Sequence, residues 1–168
     1  MLFEMIVPPF IRTLGNLSRI LDKGAQHADT KKFELEILLN ARLAPDQFNL
    51  IRQVQIACDT AKYAGARLAG TEAPAYEDTE KSLPELKVRI DKTVQYLRTI
   101  SAADFKGAEE RKITTPRWEG KYLLGADYAV GHAVPNFYFH VTTAYAILRH
   151  NGVDVGKKDF LGELPYKK

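Results

Sequence analysis

The sequence predicts an all-α fold, a four-helix up-down bundle with a small β-hairpin before the last helix. Three observations predict it. Four stretches space their apolar residues alternately three and four apart, the seam of a helix packing along near-parallel neighbours. Proline near the start and glycine near the end punctuate most of these stretches. The β-favouring runs are two short ones, both between the third and fourth helical stretches.

The first helix is expected over Leu2 to Lys23. Phe3, Val7, Phe10, Leu14, Leu17 and Leu21 form its seam, and Gly24 reads as its stop. Pro8-Pro9 conflicts with an uninterrupted helix, because proline removes a backbone donor and restricts the residue before it. A kink there, or a start near Pro8, is expected. Ala25 to Ala44 is a mixed connection, too apolar at Phe33, Leu35, Ile37, Leu38 and Leu39 for a free loop, so a short helical turn is expected. The second long helix is expected from Pro45 to Ala69, with Gly70 as its stop. Its seam is Ile51, Val54, Cys58, Ala61, Gly65 and Leu68, and the small members let another helix come close.

Ser82-Leu83-Pro84-Glu85 reads as a capping box that opens the third helix. Leu83, Leu86, Ile90, Thr93, Leu97 and Ile100 form its seam, and it ends near Ser101. Lys112 to Thr114 and Lys121 to Leu123 then predict a hairpin turning at Glu119-Gly120. Ala126 to Ala133 is a helical lead-in, Pro135 opens the fourth helix, and Asn151-Gly152 ends it after His150. The tail, with Gly156, Gly162 and Pro165, reads as extended. Helices of this size, roughly 24–33 Å long, are enough to share one core.

Composition narrows the function. The 168 residues suit a single domain, 1–168, able to bury a core without disulfides. The formal charge of +3, from 24 Lys+Arg against 21 Asp+Glu, is small and dispersed, so nucleic acid is not an expected partner. No apolar run approaches the roughly 18–20 residues of a membrane span. The single cysteine, Cys58, and the lack of a basic segment before the first apolar stretch predict a cytoplasmic protein.

The fourth helix is apolar almost all round, so Asn136 and His140, four residues apart, share a face that is largely buried. Buried polar groups need partners. One reading is a ligand site inside the bundle; the other is a core histidine holding a backbone carbonyl or a neighbouring helix. On the second helix Gln55 and Asp59 are also four apart, and a pocket results if either faces His140. A His–Asp pair would supply a general base, which makes His140 and Asp59 the catalytic candidates. Asp59 pairing with Lys62 or Arg67 is the competing reading. Gln53 is read as facing elsewhere, exposed or bound to Asn40-Ala41-Arg42. His132 would reach the pocket from the lead-in. His27 is read as solvated, His150 as a last-turn cation, and Cys58 as packing.

Three blocks resemble a known family: Leu39-Asn40-Ala41-Arg42-Leu43-Ala44-Pro45-Asp46, Arg52-Gln53-Val54-Gln55-Ile56-Ala57, and Pro135-Asn136-Phe137-Tyr138-Phe139-His140-Val141-Thr142-Thr143-Ala144-Tyr145. The family is an uncharacterised one of bacterial and fungal proteins within the DinB-like (YfiT-like) superfamily of metalloenzymes. The resemblance runs from Met5 to Gly162. It implies a four-helix bundle, often dimeric, with a short β element before the last helix. In active superfamily members three histidines hold a divalent metal such as zinc or nickel, and some activate a low-molecular-weight thiol. Carried over, His140 matches one histidine of the last-helix pair, Asn136 stands in place of the other, and Gln55, within a residue or two, stands in place of the third. One imidazole and two amides make a poor zinc site. No tightly bound metal is therefore expected.

Three functions follow as expectations. The first is a DinB-like binding protein with a degenerate metal site and a small-molecule pocket of Gln55, Asp59, His132, Asn136 and His140. The second is a divalent-metal-dependent, thiol-using transferase or isomerase. The third is a structural or stress-related homodimer joined through its helix faces.

Overall fold

The computed structural model describes residues 1–164 and 166–167. Its helices are α1 (Leu2–Lys31), α2 (Leu35–Asn40), α3 (Leu50–Ala69), α4 (Leu83–Arg98), α5 (Gly125–Tyr128), α6 (Val134–His150) and α7 (Lys157–Leu161). The strands β1 (Lys112–Ile113) and β2 (Leu123–Leu124) pair antiparallel, Lys112 opposite Leu124 and Ile113 opposite Leu123. The hairpin therefore lies where its two runs predicted it, with Glu119 and Gly120 both at positive φ in the connection. Among the described residues no helix is long and apolar enough to cross a membrane.

Several boundaries differ from expectation, each for a physical reason. α1 continues through Pro8 and Pro9. The two missing N–H groups would have bonded the carbonyls of Glu4 and Met5, both exposed, where water can replace them. Gly24 is no stop. A Cβ there would sit 3.1 Å from Leu148 Cδ2, so the glycine serves close packing against α6. α1 stops seven residues later, where Lys32 takes left-handed geometry at φ 59°.

α3 begins at Leu50 rather than Pro45, because the Asn49 side chain accepts the Arg52 backbone N–H at 3.0 Å. Gly70 ends it at φ 72°, as predicted. The Ser82 capping box opens α4, Glu85 accepting the Ser82 N–H at 2.9 Å. α5 runs into a π-helical turn at Ala129–Ala133 and then into α6. The fourth helix is thus continuous with its lead-in, and the wide turn accommodates the donor missing at Pro135. The tail is not wholly extended, since Gly156 N–H donates to Asp159 at 2.8 Å and starts α7. Pro165 lies outside the described residues.

Contacts fix the helix directions. Phe10 meets Phe137 and Gly24 meets Leu148, so α1 and α6 run parallel. Asp59 meets Arg89 and Gly65 meets Leu97 and Ile100, so α3 and α4 are parallel. His140 meets Gln53 and Asn136 meets Thr60, so α3 and α6 are antiparallel. The helical bundle is as expected, but its helices run up, down, down, up rather than alternating up and down. Residues 70–82 return the chain along the whole bundle between α3 and α4, which makes that connection a strap rather than a tight turn.

Candidate functional site

The α3–α6 seam carries the polar groups that the fourth helix predicted. His140 is 8% exposed, and its Nδ1 lies 2.7 Å from Gln53 Oε1. Gln53 is itself 2% exposed and donates its amide to the Phe48 carbonyl at 3.1 Å. That second bond orients the carboxamide with its oxygen toward the imidazole. Nδ1 must then be the N–H donor, which leaves Nε2 with the lone pair in the neutral ring. Burial, and then the positive charge of Arg52, push the His140 pKa down to about 4.

This shift makes stability depend on pH. The folded value of about 4 lies below the ordinary 6.5, so between them the unfolded chain binds more protons. The contribution is complete above pH 6.5 and is lost as pH falls toward 4. Discounted for solvent screening of an incompletely buried ring, it is worth about 2 kcal/mol. His140→Gln is expected to flatten urea-unfolding stability across this window relative to the parent. A difference between the two that does not change with pH would contradict the assignment.

Two turns further along α3, Asn136 donates to Thr60 Oγ1 at 2.8 Å. Gln53 and Thr60 are seven apart and share one face of α3 with Ala57 and Ala64, all buried. These small residues let α6 approach, and the two polar pairs fix its register.

Gln55 and Asp59 do not join this seam, which corrects the expected pocket. Residues two apart stand about 200° round a helix, so Gln53 and Gln55 cannot both face α6. Gln53 is the one that does, and Gln55 points the other way. Its amide donates to Glu80 at 2.9 Å and its oxygen accepts from Arg52 at 3.2 Å. Asp59 lies 3.0 Å from Lys62, one of the two ion-pair partners that the competing reading offered, and 3.0 Å from Arg89, which that reading missed. Asp59 therefore cannot serve His140 as a catalytic partner.

His132 is separate as well. It stacks on Tyr128 with ring centroids 5.4 Å apart, beside Trp118, eight residues and roughly 12 Å along the helix from His140. Its buried Nδ1 has no hydrogen-bond partner among the described residues. Burial, then Arg67, lowers its pKa. Cys58 is buried against Thr93, and burial pushes its thiol up to about 12, which leaves it no thiolate for chemistry at neutral pH.

The Arg89 cluster is the largest feature that sequence reasoning missed. The Arg89 side chain is 1% exposed and meets Asp59, Asp78 and Glu80 at 3.0, 2.9 and 3.1 Å. It also donates to the Glu77 carbonyl at 2.9 Å. Lys62, equally buried, lies over the Tyr76 ring, 4.1 Å from its centroid. Above them a cavity of about 430 Å³ opens between the strap and α4, lined by Tyr76, Glu80, Val88 and Arg89 among others. The sequence signal was an arginine flanked by Val88 and Ile90, one step off the seam of α4.

The donor set at the seam can be compared with the metal centre that the resemblance implies. It offers one imidazole, two carboxamides and a hydroxyl, and the imidazole Nδ1 is already bonded to Gln53. Neutral amide oxygens bind zinc or nickel far less well than imidazole or thiolate. Among the described residues no group of three or more His, Cys, Asp or Glu side chains is placed to hold an ion. These residues do not fit the three-histidine centre implied by the superfamily resemblance.

Comparison with known proteins agrees with the fold. Residues 2–161 match the model of a domain of unknown function, DUF1993. A solved structure described as a DinB family member protein from Shewanella denitrificans is 55% identical, with a TM-score of 0.97. That match covers 100% of this chain and 96% of the other. No curated protein matches the chain. With a family model spanning nearly the whole chain and a neighbour of this identity, the chain belongs to the DUF1993 family and has a DinB-like helical-bundle fold.

Proposed function

We propose that the chain is a vestigial-metal-site protein of the DinB kind, whose work is to bind a small molecule rather than to run metal chemistry. The observation that carries this reading is the 2.7 Å contact between His140 Nδ1 and Gln53 Oε1. An amide that holds the imidazole in a fixed tautomer performs a structural task. The ligand-sized cavity over Arg89 supports a binding role, because 430 Å³ falls within the usual range for small-molecule sites.

Metal analysis of protein purified without a histidine tag tests the reading. The expected content of zinc and nickel is far below one equivalent per chain, the same in the parent and in His140→Ala. The double variant Gln53→His/Asn136→His, which restores imidazoles at the two amide positions, is expected to take up about one equivalent of zinc. Near-stoichiometric metal in the parent that disappears in His140→Ala would sink the proposal.

A further inference from the structure

We propose that a second groove, between α1 and the C-terminal segment, binds a small organic polyanion, phosphorylated or polycarboxylated, with a compact apolar part. It shares no residue with the α3–α6 seam or the Arg89 cavity, so it stands or falls apart from the reading above. Arg12, Gly15, Arg19 and Lys23 follow one another at three- and four-residue steps along one stripe of α1. Arg98 joins from the end of α4 and Lys158 from α7, around a volume of about 980 Å³.

Charge is the first argument. Five cations and two carboxylates line the groove, an excess of three, which equals the formal excess of the whole chain. Lys23 is neutralised by Asp159 at 2.6 Å. Among the described residues Arg12, Arg19, Arg98 and Lys158 have no carboxylate within ion-pair reach. Four cations gathered around one concavity with no carboxylate partner among the described residues repel one another, and a bound polyanion relieves that repulsion.

Construction is the second argument. Arg19 Nη2 donates to Asn16 Oδ1 at 2.5 Å, and the buried Asn16 donates in turn to the Phe160 carbonyl at 2.8 Å. This chain of bonds holds the guanidinium in place before a ligand arrives. The C-terminal segment can pass so close only through Gly162, at φ 62°, where a Cβ would collide with Asn16. On the opposite wall a Cβ at Gly15 would meet nothing within 4 Å, so the floor is open. Ile11, Leu161 and Leu164 supply an apolar wall. From Arg12 to Lys23 the stripe is roughly 16 Å long. A short concave stripe suits a compact molecule, whereas an RNA strand needs a continued track and a lipid surface needs a convex or flat face.

Calorimetric titration of the full chain at physiological ionic strength tests this, with pyrophosphate, citrate and ATP as probes. An RNA oligomer and phosphatidylglycerol vesicles are the competing arms. At least one small anion is expected to bind, and Arg12→Glu/Arg19→Glu to weaken it by about tenfold or more. Reversal of the remote pair, Lys31→Glu/Lys32→Glu, is expected to leave binding unchanged. Gly15→Tyr keeps every charge but fills the floor, and is expected to abolish binding while the unfolding midpoint holds. The proposal is overturned if no small anion binds, if Gly15→Tyr binds like the parent, if both charge reversals weaken binding alike, or if RNA or vesicles bind more tightly than the small anions.

Discussion

Arg89→Leu is expected to lower the free energy of unfolding by about 3–5 kcal/mol. The side chain is 1% exposed and is surrounded by Asp59, Asp78 and Glu80. Leucine fills part of the volume but leaves three carboxylates crowded together, with Lys62 as the remaining buried cation beside Asp59. A buried ion pair adds little when compared with a well-packed apolar substitute, yet breaking one partner out of it is costly. The loss should also be local before it is global. Arg89 holds the strap through Asp78, Glu80 and the Glu77 carbonyl, so residues 71–81 should exchange amide hydrogens faster in the variant. Urea unfolding and hydrogen exchange check the two parts. A stability within 1 kcal/mol of the parent, with the strap still protected, would show that the network is decoration. Arg89→Lys should fall between, because a single ammonium cannot reach three carboxylates as the guanidinium fork does.

The long helices were legible because burying one face of a helix imposes a periodic signal that many residues share. Gly70 and the Ser82-Glu85 box were legible because end geometry has few chemical solutions. Gly24 was misread for a related reason. The absence of a Cβ permits either a left-handed turn or a close helix approach, and local sequence does not say which; Leu148, more than a hundred residues away, decides it. Pro45 suffered likewise, since proline suits a turn as well as a first helical position, and the Asn49 cap made the choice.

The site was half legible. Asn136 and His140 lie on the buried face as the apolar pattern required. Their partners were not readable, because Gln53 and Gln55 both flank the seam residue Val54 and differ only in which side of the helix they serve. An error of two residues moved the expected partner to the opposite face and drew Asp59 with it. The Arg89 cluster was invisible for another reason. Its anions come from a strap with no periodicity of its own, and charge pairing across connections leaves no spacing rule to read.

Phe137→Ala is the second large effect, expected to cost about 3–5 kcal/mol in urea unfolding with the m-value unchanged. Phe137 is fully buried, stacked on Phe10 with centroids 3.9 Å apart and meeting Tyr138 edge-on at 5.2 Å. Phe10→Ala should cost a similar amount, and the double variant less than the sum by about 0.5–1.5 kcal/mol, since the second truncation removes a contact already gone. Full additivity would mean that the rings merely fill space. Phe137 also lies between Asn136 and His140 on α6, one turn from the ring that Gln53 holds. If its packing keeps that turn dry, a cavity there admits water, and the His140 pKa should rise from about 4 toward 6.5 in a proton-resonance titration. A cavity that destabilised the fold yet left this value unmoved would show that residues other than Phe137 bury the ring.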